Sequence, residues 1–151
     1  MTDPRIAINT ANSAAIEAHL RECDARFSPR LSGRVDLGDY ARKLAALADR
    51  VEAWESDRLV GLVAAYLSEC RKGEGFVSSV SVCSDVEGRG IASKLMKECR
   101  GLAEKKGLTS LGLEVANQDD RVQAFYRKHG FELSGEGKTG FLRMNLDLNK
   151  Q

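Results

Sequence analysis

The sequence predicts an α/β protein in which about four helices flank a central sheet of about seven strands. Short alternating or fully apolar runs, typical of strands, are interleaved with longer segments in which apolar residues recur every three or four positions, as in amphipathic helices. The predicted order is strand, two helices, three strands, helix, strand, helix and two strands. Hairpins followed by strand–helix crossovers imply a mixed sheet with helices on both faces.

The first third of the chain predicts one strand and two helices. Residues 5–10 alternate apolar and polar side chains, as an edge or half-buried strand does. Apolar residues then follow at helical spacing from Ile16 to Cys23, and a second apolar stripe predicts a helix over 36–49. Each helix is preceded by side chains able to cap it. The alternative caps are Asn12 or Ser13 for the first helix, and Asp36 or Asp39 for the second.

The segment between these two helices, residues 24–35, predicts a loop because it contains Pro29 and Gly33 and has no clean period. A loop of this length in a compact domain is often functional. Four of its side chains are candidates for the entrance of a substrate site, although a plain solvated connector is an equally good interpretation. These are Arg26, Phe27, Arg30 and Arg34.

The middle of the chain predicts three strands. Residues 51–55 and 58–67 form a hairpin, and the second run is almost continuously apolar, which indicates a central strand covered on both faces. Gly61 within it predicts a bulge or a close backbone approach. A turn at 72–75 leads into an alternating strand, which starts at Gly75 or Phe76 and includes Val77 to Val82.

The clearest helix spans Gly90 to Lys106, and Gly107 ends it. A short strand follows at 110–115. Asp119 or Asp120 then caps a helix that Gly130 closes. The final strands are residues 131–134 and 141–148.

Composition predicts a single domain over residues 1–151 in the cytoplasm. A formal net charge of +1 provides no long-range field for nucleic acid or an anionic membrane. No apolar run approaches the ~20 residues of a membrane span, and the N-terminus has no signal-peptide pattern. The four cysteines lack CxxC pairing and have no histidine at metal-ligand spacing, so we expect buried free thiols and no metal.

The stretch from Glu87 to Ser93 is a glycine-rich turn between a strand and a helix. Glycines at 88 and 90 permit backbone angles closed to other residues, and amides entering a helix form a pocket suited to phosphate. A dinucleotide fold would require glycine at the position of Ser93, and a Walker loop would require Gly-Lys-Ser/Thr. Both nucleotide interpretations are therefore disfavoured.

Two motifs resemble those of the GNAT superfamily of N-acetyltransferases. The turn Glu87-Gly-Arg-Gly-Ile-Ala92 is similar to the family's acyl-CoA signature, except that Glu87 replaces Gln or Arg. Phe125-Tyr-x-x-x-Gly-Phe131 is similar to the family's second block. The resemblance covers roughly residues 51–147 and implies a GNAT-like, mostly antiparallel sheet.

The resemblance implies that acetyl-CoA is the co-substrate. The strand before the turn would pair with the pantetheine arm, and the turn would bind the pyrophosphate. Arg89 would compensate for the charge of Glu87, and either Asn117 or Asp119 would fill the position where the family often has Asn. The implied cofactor-binding residues are Val80, Ser81, Val82, Gly88, Arg89, Gly90, Ile91, Ala92, Ser93, Asn117 and Asp119.

The resemblance also implies that Tyr126 is the general acid for the departing thiolate. A primary amine acceptor must lose a proton, and the candidates for that step stay open: Glu69, Glu74 and Glu114 as bases, and Ser79 and Ser81 as holders of a water. A covalent acyl-enzyme on Cys83 is disfavoured because no histidine lies nearby in sequence. His19 is interpreted as a packed helix residue.

We therefore expect direct acetyl transfer to the amine of a small molecule. An acyl-CoA-binding sensor or partner module without catalysis is the alternative. The arginines of the 24–35 loop permit an anionic acceptor such as an amino acid or amino sugar nucleotide, while a peptide N-terminus or a lysine also stays open. A homodimer stays open as the assembly.

Overall fold

The computed structural model describes residues 3–68 and 70–149. Its strands and helices follow the predicted order. The strands are β1 (Arg5–Ile8), β2 (Asp49–Glu55), β3 (Arg58–Tyr66), β4 (Glu74–Val82), β5 (Ser110–Ala116), β6 (Glu132–Glu136) and β7 (Phe141–Asp147). The helices are α1 (Ser13–Cys23), α2 (Leu37–Leu47), α3 (Ile91–Lys105) and α4 (Asp120–Lys128).

The seven strands form one sheet in the order β1-β2-β3-β4-β5-β7-β6. Only β4 and β5 run parallel, since α3 connects them as a crossover; every other neighbouring pair is antiparallel. The sheet is therefore mixed and mostly antiparallel, as predicted.

Both faces of the sheet are covered by helices. Helices α1 and α2 pack one face through residues such as Ile16 and Leu44, and α3 and α4 pack the other through residues such as Leu95 and Tyr126. The central strand β3 is buried from Leu59 to Ala65. Its continuous apolar run is therefore explained by contact with both helix layers.

Gly61 in β3 lies where α3 crosses the sheet. A Cβ at this position would lie 3.0 Å from Ile91 Cγ2 and 3.1 Å from Leu95 Cδ1, so the close approach is confirmed. The strand register with β2 also shifts between Ala53 and Trp54, opposite this glycine. Both features predicted from Gly61 are present.

The helix boundaries confirm most of the predicted caps and correct one end. The side chains of Asn12, Asp36 and Asp119 each accept a hydrogen bond from a backbone N–H of the helix that they precede. The helix predicted over 36–49 ends at Leu47, and β2 already begins at Asp49. The strand starts earlier because Asn9 exchanges hydrogen bonds with Arg50 N and O, which extends the pairing with β1.

The segment between α1 and α2 is a loop with two short 3-10 turns, Asp24–Arg26 and Leu31–Gly33. The Asp24 carboxylate accepts hydrogen bonds from Ser32 N and Ser32 Oγ at 2.7 and 2.6 Å, which ties the two turns together. In the described part of the chain, no helix is long and apolar enough to cross a bilayer.

Candidate functional site

The site is built on two strands that separate. β4 and β5 pair only where Glu74–Phe76 lie beside Ser110–Gly112. A bulge at Ser78 shifts the register of β4 on β3 immediately afterwards. From that point β4 remains paired with β3 but no longer with β5, so a gap opens between two neighbouring strands of the sheet.

Backbone groups of β4 face this gap. Cys83 N donates to Val60 O at 2.8 Å, so Cys83 points its amide towards β3. Because amide direction alternates along a strand, the N–H groups of Val82 and Val80 point the other way, towards the missing partner strand. An unpaired strand edge of this kind accepts a ligand that carries amides of its own.

The glycine turn has the conformation that its sequence predicts. Gly88 and Gly90 have φ of +82° and +74°, and an added Cβ at either position would have no atom within 4 Å. Gly90 precedes α3 without a side-chain cap. The first amides of α3, from Ile91 to Ser93, have no intrahelical acceptor, so the positive end of the helix opens towards solvent at a position free of side chains.

A cavity of about 480 Å³ lies between β4, the glycine turn, α3 and α4. It brings together most of the residues predicted to bind the cofactor. Those that line it are Val80, Ser81, Val82, Gly88, Gly90, Ile91, Ala92, Ser93 and Asp119.

Two predicted residues lie outside the lining of this cavity. The Arg89 side chain pairs with Glu55 at 3.1 Å. The Asn117 backbone is engaged at both ends, since its N–H donates to Gly140 O at 3.0 Å and its carbonyl accepts from Gln123 Nε2 at 3.2 Å. Of the two alternatives for the family's Asn position, the structure places Asp119 against the cavity.

Glu87 is held by an arginine from the loop between α1 and α2. Its carboxylate forms an ion pair with Arg26, and both side chains are about 40% exposed (43% and 39%). The negative charge in the glycine turn is therefore partly neutralised across the cavity mouth. Sequence reasoning assigned this compensation to Arg89; the structure assigns it to Arg26, which is distant in sequence.

A second cavity of about 320 Å³ adjoins the first at the strand gap, between the α1–α2 loop, β4, β5 and the β6–β7 turn. Three of the four predicted entrance residues line it, namely Arg26, Phe27 and Arg34, whereas Arg30 does not. The two cavities share one part of their walls. The shared residues are Arg26, Phe27, Val80, Asp119, Val122 and Tyr126.

Tyr126 on α4 lies at this junction. Its ring packs edge-on against Phe125 and Phe131, with centroids 5.3 and 5.7 Å away. Only 8% of the residue is exposed, and its hydroxyl makes no hydrogen bond to any residue that the structure describes. Burial, and secondarily the charge of Asp119, raise the pKa of Tyr126, so its hydroxyl stays protonated well above neutral pH.

The candidates for deprotonating an amine are separated by the fold. Glu114 on β5 lines the second cavity. Glu74 begins β4 and lines neither of the two cavities at the gap, and Glu69 lies outside the described residues. Ser79 Oγ is buried without a hydrogen-bond partner in the described structure, while Ser81 Oγ bonds His19 Nε2 at 2.8 Å.

His129 is a site neighbour that sequence reasoning missed. Its Nε2 lies 2.9 Å from Ser93 Oγ in the first turn of α3, and its ring lies 4.8 Å from that of Phe125. Burial, together with Lys128 and Lys97, lowers the pKa of His129. No local pattern indicated it, because the contact joins the end of α4 to the start of α3, which are 36 residues apart in sequence.

His19 joins two cysteines in the core. Its ring nitrogens contact Leu59 O at 2.9 Å and Ser81 Oγ at 2.8 Å, and the thiols of Cys23 and Cys83 lie 3.9 Å apart beside it. Although these three residues offer metal-ligand atoms within 4.8 Å of one another, sequence spacing had suggested no such grouping. All four cysteines are free thiols; Cys70 is half-buried and the others are buried.

Comparison with known proteins agrees with this architecture. The acetyltransferase (GNAT) family matches residues 10–131 of the sequence. The chain therefore belongs to the GNAT acetyltransferase family. No curated protein sequence matches the chain.

Solved structures show the same fold at low sequence identity. PaiA N-acetyltransferase from Thermoplasma acidophilum, in complex with coenzyme A, superposes with a TM-score of 0.71 at 14% identity over 95% of this chain and 99% of that one. Ribosomal-protein-alanine N-acetyltransferase from Brucella melitensis gives 0.71 at 21% identity over 93% and 99%. IAA acetyltransferase from Bacillus cereus gives 0.68 at 16% identity over 95% and 99%.

Proposed function

We propose that this protein transfers an acetyl group from acetyl-CoA to the primary amine of a small molecule, directly, with both substrates bound. The observation that carries the proposal is the junction of two cavities at Tyr126, a largely buried residue whose hydroxyl has no hydrogen-bond partner among the described residues. One cavity has the features of a phosphate and amide site, and the other extends between β4, β5 and the α1–α2 loop. Tyr126 borders both.

The residues of the first cavity fit coenzyme A. The open amides from Ile91 to Ser93, beside two glycines that leave space where a Cβ would lie, suit a pyrophosphate. The unpaired N–H groups of Val80 and Val82 suit the amides of a pantetheine arm. When bound, acetyl-CoA supplies an activated acetyl thioester.

The chain contributes polarisation and proton transfer. The N–H of Val82 points into the gap and would stabilise negative charge that develops on the thioester carbonyl oxygen, an effect worth a few kcal/mol in related acyl-transfer sites. The Tyr126 hydroxyl would donate its proton to the departing sulfur. Its raised pKa suits it to act as an acid rather than a base at neutral pH.

The amine would lose its proton on the side of the second cavity. Of the two candidate carboxylates that the structure describes, Glu74 and Glu114, only Glu114 lines this cavity, and Ser79 lines it as well. Both stand next to the strand gap, on β5 and β4 respectively. We propose Glu114, directly or through a water, as the base.

Direct transfer is supported by the surroundings of Cys83. Its thiol is 1% exposed, lines neither of the two cavities at the gap, and has its pKa raised by the hydrogen bond with Cys23 and by burial. A thiol that is both inaccessible and protonated is a poor nucleophile.

A non-catalytic acyl-CoA-binding module is the second candidate, favoured by one feature: a carboxylate, Glu87, beside the amides that would bind the pyrophosphate. Calorimetry with acetyl-CoA and release of free thiol across a panel of primary amines separate the candidates. We expect binding and amine-dependent thiol release with formation of an N-acetyl product. Binding without turnover on any amine would favour the module, and no binding would exclude both.

A further inference from the structure

Two cations meet at the far end of the second cavity. Arg34, from the α1–α2 loop, places its guanidinium carbon 5.3 Å from the centroid of the Phe141 ring. Lys138, from the β6–β7 turn, places its Nζ 4.9 Å from the same centroid. Segments that are about a hundred residues apart in sequence therefore bring two positive charges to one aromatic ring, and all three side chains line the cavity.

Neither cation has an acidic partner in the described part of the chain. Arg34 and Lys138 form no ion pair there, whereas the third cation of the cavity, Arg26, is held by Glu87. Partial desolvation lowers the pKa of the Arg34 guanidinium, although the residue as a whole is exposed and accessible to a ligand. The nearest carboxylate in the cavity, Glu114, lies against Gly137 but forms no ion pair with either cation. Two like charges within about 10 Å of each other, neither of them in a salt bridge, favour an anion beside them.

The two cations lie away from the site of chemistry. Tyr126, Val80 and Asp119 border both cavities, but Arg34 and Lys138 border only the second. An acceptor whose amine lies at Tyr126 would therefore extend its other end towards the two cations. Asp119 supplies negative charge at the amine end.

We propose that the acceptor is a primary amine that also carries an anionic group, a carboxylate or a phosphate, and that Arg34 and Lys138 bind this group. The proposal rests on the acetyltransferase function proposed above. A guanidinium presents paired N–H donors that match either anion, and Lys138 adds a point charge. Phe141 holds both cations in position through its ring face.

Matched pairs of amines test the preference. 4-Aminobutyrate is compared with propylamine, and phosphoethanolamine with ethanolamine, because each pair differs in an anionic group at the end of the molecule opposite the amine. Binding is measured by calorimetry with coenzyme A present, and kcat/KM is measured by thiol release. We expect the wild-type protein to prefer the anionic member of at least one pair tenfold or more, in binding and in kcat/KM. Which pair shows the preference distinguishes carboxylate from phosphate.

Variants then assign the preference to residues. Arg34→Gln and Lys138→Gln should each reduce the ratio of anionic to neutral amine by about fivefold to tenfold, and the double variant by more. Arg34→Lys, which keeps the charge, should recover part of it. Arg30→Gln is the control, since Arg30 is an exposed arginine of the same loop and does not line the cavity; it should keep the wild-type ratio.

The outcomes separate this proposal from the proposed function. Equal binding of both members of every pair, or an Arg34→Gln variant with the wild-type ratio, would overturn the anion site even if amines are acetylated. If no amine is acetylated, the proposed activity fails, while Arg34-dependent binding of an anionic amine would still support the site.

Discussion

At the scale of single residues, the glycine turn carries one charge that disfavours an anion, and an ion pair partly neutralises it. Glu87 lies among amides suited to phosphate, and its carboxylate is engaged by Arg26. Because both side chains are well exposed, the pair contributes little to stability. Its main effect is on the charge seen by an anion that enters the cavity.

Replacing Glu87 by Gln should therefore strengthen the binding of acetyl-CoA. The change removes one negative charge and frees the Arg26 guanidinium, and we expect a decrease in Kd of up to about fivefold, since exposed charge effects are worth up to ~1 kcal/mol. Calorimetry at low and high salt measures it, and the gain should shrink with salt. Glu104→Gln on α3, a carboxylate paired with Arg100 outside the binding cavity, is the control. Weaker binding by Glu87→Gln would contradict this account.

The environment of Tyr126 suits the acid role that we propose for it. The ring is enclosed by aromatic neighbours and the hydroxyl lies at the cavity junction without a partner among the described residues. Burial raises its pKa above the ordinary value of about 10. An acid is active below its pKa, so the raised value extends the protonated range upward and keeps the proton available throughout the neutral range.

At the scale of secondary structure, the turn between β4 and α3 requires glycine for two separate reasons. A positive φ at Gly88 is strained for any L-residue with a side chain, and the space in front of the backbone must stay open for a ligand.

Gly88→Ala should therefore cost about 1–2 kcal/mol of unfolding free energy through backbone strain alone, since its Cβ would contact nothing within 4 Å. We also expect acetyl-CoA binding to weaken by tenfold or more. Urea denaturation and calorimetry measure the two effects. The matched control is Gly101→Ala within α3, which also has no atom within 4 Å but a helical backbone, and should stabilise by about 0.5–1 kcal/mol. Equal stabilities of the two variants would contradict the strain argument.

Local patterns predicted the elements well because helix and strand periodicities are properties of neighbouring residues. The order of all elements, the caps at Asn12, Asp36 and Asp119, and the glycine turn follow from such patterns. The end of α2 was predicted too late because Asn9, which extends β2 backwards, is distant in sequence. The pairing of Arg26 with Glu87 was missed for the same reason.

At the scale of the whole molecule, a buried ion pair joins the N-terminal segment to the sheet. Glu52 on β2 is fully buried and accepts N–H groups of Thr10 and Ala11, and Arg50 donates to Ala11 O and to carbonyls near the end of α2. Arg50 and Glu52 are buried because α1 and α2 cover that face of the sheet.

Glu52→Gln should strongly destabilise the fold. The change leaves Arg50 as a buried charge with no carboxylate beside it. It also places the NH₂ group of the new glutamine against the backbone N–H groups of Thr10 and Ala11. Together these effects cost about 3–5 kcal/mol. For a chain of this size, we expect the Tm to fall by about 6–20 °C in scanning calorimetry. Glu98→Gln on the exposed side of α3 should leave the Tm nearly unchanged. A Glu52→Gln variant with the wild-type Tm would show that the pair is not a major contributor to stability.

The separation of β4 and β5 is the feature that sequence patterns could not show. It depends on a bulge at Ser78 and on a parallel pairing that stops after Phe76, and both arise from contacts between distant segments. The two cavities adjoin at this separation, and Tyr126 lies at their junction. We propose that acetyl transfer occurs at this junction, beside Tyr126.

The most direct test compares Tyr126→Phe with the wild-type protein. Thiol release from acetyl-CoA is measured with the best amine acceptor between pH 6 and pH 9, and acetyl-CoA binding is measured by calorimetry. We expect the variant to bind acetyl-CoA within about twofold of wild type, because the ring is retained, and to lose about a hundredfold or more in kcat at every pH in this range. A variant that binds normally and turns over at the wild-type rate would contradict the account.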